Sequence, residues 1–288
     1  MRTKSLAALL SAAIALGTVH LASDVQAQGA RGGSAAGDAQ KDERIKAILA
    51  QLTSKERSDV RDGFAAMEQL GTGAAAAVPT ANRVLSRGLP IDLTTTALHA
   101  LGSVGDVSSS QAIRPYLRHR HVELRREAAK ALIKTKGQEA KDGLRTALSD
   151  ADAMVRGIAA TGLGELGATE HIATLFAALD HNVPEAASSI GQLCNPEQCE
   201  QYASRTGRIG FDVMITGFDQ ILFRDPKQMP DDQKIRIIGR VRELGTGDAH
   251  RFLKDVQSRW PEGWSERVKK ALDLAVLSTQ GAPGGGES

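Results

Sequence analysis

The stretch His121–Asp180 reads HVELRREAAKALIKTKGQEAKDGLRTALSD and then ADAMVRGIAATGLGELGATEHIATLFAALD, saying nearly the same thing twice. Leu124, Ala128, Ala131 and Leu132 recur at an offset of 31 as Val155, Ala159, Gly162 and Leu163. Both sets have the i, i+4, i+7, i+8 spacing of one face of an amphipathic helix. A break follows each, at Gly137 and Gly167, and then a second apolar stripe: Ala140, Leu144, Ala147 and Leu148, then Ile172, Leu175, Phe176 and Leu179. The unit is a helical hairpin of 31 residues. A lone hairpin cannot bury its stripe, so it must stack on neighbours, which gives a solenoid.

The pattern extends in both directions. Upstream, Val60 opens a stripe of Phe64, Met67 and Leu70, continued by Ala77, Val78, Ala81 and Leu85. Leu93, Ala97, Ala100, Leu101 and Val104 then fill the same slots, followed by Ile113, Tyr116 and Leu117. The anchors at 60, 93, 124 and 155 are spaced 33, 31 and 31. Lys41 to Leu52, with Ile45, Ile48 and Leu49, reads as the opening helix. Downstream, Pro184–Leu193 reads as a shortened second helix, and Tyr202–Phe223 shows no clean register. Ile235, Ile238, Val241 and Leu244 restore a first helix, with Phe252, Leu253 and Val256 on its partner, and Trp260–Leu277 closes the array. The expectation is an all-α chain, an α-α superhelix of about 6–7 hairpins over residues 41–277.

The wording of the units goes further than their period. SDADAMVRGIAATGLGELGATEHIATLFAALD (Ser149–Asp180), with Val155-Arg156, Ala159-Ala160, Leu163 and Leu166-Gly167, closely resembles the HEAT-like repeats of the phycobilin lyases. HRHVELRREAAKALIKTKGQEAKDGLRTALSD (His119–Asp150) matches with Leu124-Arg125 and Ala128-Ala129. The resemblance implies a right-handed superhelix whose second helices line a concave surface. It implies no particular chemistry, because that family spans scaffolds, adaptors and a few enzymes. HEAT-like metal hydroxylases carry adjacent His-Glu pairs for two irons, and this chain has no His-Glu dipeptide.

Residues 1–27 have the three parts of a secretory signal: Arg2 and Lys4, an apolar run from Leu6 to Leu16, and small residues at Val25-Gln26-Ala27. The run is too short to span a bilayer, which needs roughly 20 residues. Export to the periplasm or medium is the expectation. Residues 28–40 read as a flexible Gly/Ala/Ser linker and 278–288 as a disordered tail. In an exported chain Cys194 and Cys199, flanking four residues, read first as a disulfide. A redox pair or metal site would more commonly show C-x-x-C.

Aromatics are only 3% of the chain, and no β-branched run of period two appears, in keeping with helices. The formal charge of +2 argues against a dedicated nucleic-acid binder. Charge is nevertheless segregated. Residues 111–150 hold ten Lys or Arg against five acids, whereas residues 151–204 hold seven acids against one Arg. Arg114, Arg118, Arg120, Arg125 and Arg126, with Arg156, are the candidate contacts for an acidic protein partner. Arg61, Arg125, Arg156 and Arg236 share one slot in four repeats, with Asp59, Glu123, Asp152 and Asp232 nearby. Such residues commonly bond between repeats, so the slot is either structural or ligand-binding.

Gly162, Gly164 and Gly167 spell G-x-G-x-x-G, but inside a helix and without the strand a dinucleotide fold requires; the first two read as a close helix contact and the third as a C-cap. No G-x-S-x-G, H-E-x-x-H or P-loop occurs. The reading is an exported, non-catalytic scaffold or adaptor that holds a protein on its concave surface, with no cofactor and no metal. The alternative is a lyase-like or other enzyme-accessory subunit on the same repeats.

Overall fold

The computed structural model describes residues 21–281. The expected signal core at Leu6–Leu16 and the last residues of the expected tail lie outside them. The chain divides into two units, residues 1–47 and 48–288. Helix α1 (Leu21–Leu52) supplies all that is described of the first unit and enters the second. It runs through residues 28–40, the expected linker, where Ala30, Ala35, Ala36 and Ala39 favour helix against the glycines between them. The second unit is the solenoid.

Its helices follow in the order α2 (Arg57–Leu70), α3 (Val78–Ser86), α4 (Ile91–Val104), α5 (Ser109–Ile113), α6 (Val122–Thr135), α7 (Gly137–Ala147) and α8 (Ala153–Glu165). They continue as α9 (Ile172–Asp180), α10 (Glu185–Leu193), α11 (Pro196–Ala203), α12 (Phe211–Leu222), α13 (Asp231–Glu243), α14 (Gly247–Arg259) and α15 (Glu266–Ser278). Short 3-10 turns lead into α3 and α9 and follow α5. No β-strand occurs among the described residues.

Local chemistry sets several of these boundaries. The Asp152 carboxylate accepts from the Val155 N–H at 3.0 Å and opens α8. Asn195 and Gln198 form a reciprocal capping box at the start of α11, with Pro196 in the first turn. Gly167, at φ +62°, ends the turn after α8 in the left-handed conformation expected of it.

The even-numbered helices α2 to α12 pack side by side in chain order, and α14 joins on α12. The odd-numbered helices form the other layer, where α3 meets α5, α5 meets α7, α11 meets α13 and α13 meets α15. The core between the layers holds the expected stripe: Phe64, Met67, Leu101, Leu124, Leu132, Leu144 and Leu163 are all at most 1% exposed, and Leu98, outside that stripe, is buried with them. Burying each such side chain is worth about 1.5–3 kcal/mol.

Two expectations need correction. The sequence pattern starts the unit at the Val/Leu-Arg helix, yet α9 packs on α10 and α7 packs on α8 as closely as on α6. Periodicity gives the length of a repeat, not its start. Packing thus phases the central repeats as α7 with α8 and α9 with α10. The even helices, which hold the Val-Arg and Leu-Arg slots, are then the second ones. Accordingly α10 is the second helix of its pair, as expected, and stands in the even layer between α8 and α12. For the same reason α13 lies in the odd layer and α14 in the even one, the reverse of their expected order.

The irregular stretch at 202–223 is α12 with the end of α11, and its aromatics explain the missing register. Tyr202 is fully buried, donates to the Met214 carbonyl at 2.7 Å and meets Phe218 edge-on at 5.3 Å. The expected tail begins later than residue 278. Thr279 is buried and pairs with His250 Nδ1 at 2.9 Å.

Candidate functional site

The arginines singled out from the sequence do not form one open patch. Arg125 makes a two-pronged pair with Asp150 at 2.8 and 2.9 Å, its side chain 16% exposed and that of Asp150 9%. Arg126 pairs the same way with Asp152, at 3.0 and 2.7 Å. This contact, above all the hydrogen bond from Arg126, pulls the Asp152 carboxyl down to about 2. Arg114 reaches Glu139 at 2.6 Å, and Arg156 donates to the Asp150 and Ala151 carbonyls at 2.9 and 3.0 Å. Arg118 and Arg120 are exposed, and Arg120 makes only a 3.2 Å contact with the His121 ring. Tyr116, His119 and His121 stack beside them, and burial lowers the pKa of His119, helped by His121, Arg120 and Arg125.

Two of the four arginines in the shared slot, Arg61 and Arg125, therefore tie repeats together, with other acids than those nearest in sequence. Arg61 reaches Asp92 at 2.8 Å in the next even helix, and Arg125 reaches Asp150 in the turn before α8. Arg236 instead donates to the side-chain amide oxygen of Gln233 within its own helix. Further pairs bridge within a layer: Arg205 with Asp180, Arg240 with Glu200, and Arg259 with Asp219.

The open face of the even layer carries what sequence reading did not single out. A groove of about 920 Å³ crosses α8, α10 and α12 and ends against α14. Val213, Ile215 and Phe252 give it an apolar floor; Thr161, Ser188, Thr216 and Gln220 supply hydrogen-bonding groups. Five carboxylates line it, Glu165, Glu185, Asp212, Asp219 and Asp255, against one cation, Arg259. Arg259 is engaged by Asp219 and Asp255 and lies 4.5 Å over the Phe223 ring. A second depression of about 460 Å³ continues from Glu165 across α6, α4 and α2, where His99 and Lys130 both pair with Glu127, at 2.8 and 2.9 Å.

Close helix contacts shape the groove wall. A Cβ on Gly164 would fall 2.5 Å from Ser189 Oγ, and one on Gly162 would fall 2.5 Å from Ile133. Gly162 and Gly164 thus serve packing, as expected. Ser189 Oγ donates to the Ala160 carbonyl at 2.8 Å and locks α10 to α8.

Behind the groove, Cys194 at the end of α10 and Cys199 in α11 are joined as a disulfide, with Cα atoms 5.3 Å apart. Arg224 donates to the Cys194 carbonyl at 2.6 Å. Beside it Lys234, 1% exposed, lies 4.5 Å over Trp264 and 5.5 Å over Trp260, and burial lowers its pKa. Among the described residues no three His, Cys, Asp or Glu side chains converge as a metal set, and no helix is long and apolar enough to cross a membrane.

No family model matches the chain, and no curated protein is similar to it. Solved structures are. A chain of the AP-3 complex, represented by a homology model in an intermediate open conformation, shares 15% identity at a TM-score of 0.51. The match covers 80% of this chain and 50% of that one. The complex of CpcE and CpcF of phycocyanin lyase from a Nostoc species shares 18% identity over 82% of this chain and 94% of that one, at a TM-score of 0.43. An archaeal HEAT-like repeats protein from Thermococcus onnurineus shares 11% over 82% and 87%, at 0.38. At such identities the likeness is one of fold: this chain is an all-α repeat solenoid of the HEAT and armadillo kind.

Proposed function

We propose that the chain is an exported, non-catalytic scaffold that captures a protein partner along the groove of its even-numbered helices. The observation that carries this reading is the groove itself. It is open, crosses successive repeats and mixes an apolar floor with hydrogen-bonding and charged walls. Such a surface offers many modest contacts in series, as extended solenoid faces do when they bind chains. Export is supported by the signal-like composition of residues 1–27 and by the disulfide, since such bonds persist in oxidising compartments.

The basic rim at Arg118 and Arg120 is the rival surface. Among the described residues only these two of the six candidate arginines lack a carboxylate or carbonyl partner, so it offers fewer contacts than the groove.

The test is a crosslinking pull-down with the tagged full chain from its native cells. It is run beside Thr216→Trp/Gln220→Trp, which fills the groove, and Arg118→Glu/Arg120→Glu. A partner lost with the filled groove and kept with the reversed arginines supports the reading. The opposite pattern moves the interface to the basic rim, and no specific partner from any bait removes the scaffold.

A further inference from the structure

We infer that the acidic part of the groove takes an extended segment bearing Lys or Arg from the partner protein. This rests on the scaffold reading above and narrows it to one chemistry.

The groove has the dimensions of a short strand of chain. Neighbouring helix axes lie about 8–10 Å apart, so α8, α10 and α12 span roughly 20 Å. An extended chain covers that distance in about six residues. The occupant meets one carboxylate not engaged by Arg259 on each helix: Glu165 at the end of α8, Glu185 at the start of α10 and Asp212 at the start of α12. All three are exposed, and none has a cationic partner among the described residues.

The position of Glu185 is held by packing. A Cβ on Gly157 would fall 2.6 Å from Glu185 Oε1, so this carboxylate lies directly over the α8 backbone, across the seam between the helices. The contrast along the same face is what assigns the sign of the partner. In the neighbouring depression Glu127 is matched by His99 and Lys130, whereas the single cation of the acidic part is already engaged by Asp219 and Asp255. Carboxylates that share a concave, partly apolar wall reinforce one another's field. A guanidinium or ammonium entering the groove meets that field without displacing any internal pair. An acidic segment would be repelled by it.

The test uses fluorescence anisotropy with the full chain and two labelled peptides, Arg-Ala-Arg-Ala-Arg-Ala and Glu-Ala-Glu-Ala-Glu-Ala. The variants are Glu165→Gln/Glu185→Gln/Asp212→Asn and, as a control away from the groove, Glu123→Gln/Glu197→Gln. The expected result is that the arginine peptide alone binds, that added salt weakens it, and that the groove variant loses about tenfold in affinity while the control keeps it.

Equal binding of both peptides, binding unchanged in the groove variant, or no binding of the arginine peptide overturns the inference. So does a self-associated chain that the groove variant dissociates in sedimentation, because the occupant would then be a second copy. Circular dichroism of the variants shows that the fold persists. If the pull-down finds a groove-dependent partner while the arginine peptide fails, only the charge assignment falls. If neither appears, the scaffold reading falls with it.

Discussion

Arg125 shows how one side chain can be mistaken for a binding contact. Its place in the repeat, beside Arg126 and amid excess positive charge, suggests an exposed cation. The acid that takes it, Asp150, stands 25 residues on, in the turn before α8. Its worth falls between an exposed pair, about 1 kcal/mol or less, and a fully buried one, about 3–5 kcal/mol when broken. Arg125→Ala should therefore lower stability by about 2 kcal/mol in a urea or thermal melt, without weakening partner capture. A normal melt with lost capture would return this residue to the interface.

Asp152 adds a pH signature. Its carboxyl is lowered from the usual 3.8 to about 2, first by the Arg126 hydrogen bond and also by the Val155 N–H. A lowered folded-state pKa means the contribution is whole above pH 3.8 and drains away as pH falls towards 2. Asp180, held by Arg205, moves in the same direction. Melting temperature should fall steeply below about pH 4, and Asp152→Asn should flatten that slope while keeping the helix cap. A slope identical in Asp152→Asn would show that the Arg126 pair is not its source.

At the scale of the element, the seam between α10 and α12 is the tightest. A Cβ on Gly191 would strike the Gly217 carbonyl oxygen, which is backbone and cannot swing aside. Gly191→Ala should cost about 3 kcal/mol or more, read as a large drop in melting temperature. An unchanged melt would mean that the helices are not in this contact. The disulfide closes the turn between α10 and α11. Removing it with Cys194→Ser/Cys199→Ser should cost roughly 2 kcal/mol by the chain-entropy argument for so short a loop. A melt insensitive to the double substitution and to reductant would place the thiols apart in solution.

Elements were legible from sequence where spacing alone decides them. Leu124, Ala128 and Leu132, or Val155, Ala159 and Leu163, repeat on a strict period, and all six are buried as expected. The stretch around Tyr202 and Phe218 hid its helices because aromatic volume, not small-residue spacing, fills that part of the core. The phase of the hairpin was out of reach for a different reason. Which of two adjacent helices packs more closely depends on turn geometry, and α13 and α14 exchanged layers on that account.

At the scale of the whole molecule, the same limit applied to the site. The sequence displays the charge imbalance between residues 111–150 and 151–204, but not which charges survive pairing. Four of the six candidate arginines are engaged within the fold, whereas Glu165, Glu185 and Asp212, unremarkable in sequence and separated by 20 and 27 positions, line one groove. Only stacking α8, α10 and α12 brings them together. A periodic pattern thus reveals a solenoid readily, while the groove emerges only from the stacking of α8, α10 and α12.

The central claim is that this face, and not the opposite one, holds the partner. The most direct measurement is photo-crosslinking of the full chain in its native cells, with the reactive side chain placed at Thr161 or Gln220 in the groove, or at Arg145 or Ala173 on the odd layer. The same partner adduct is expected from both groove positions and none from the odd layer. Adducts from the odd layer alone, or from no position, would contradict it.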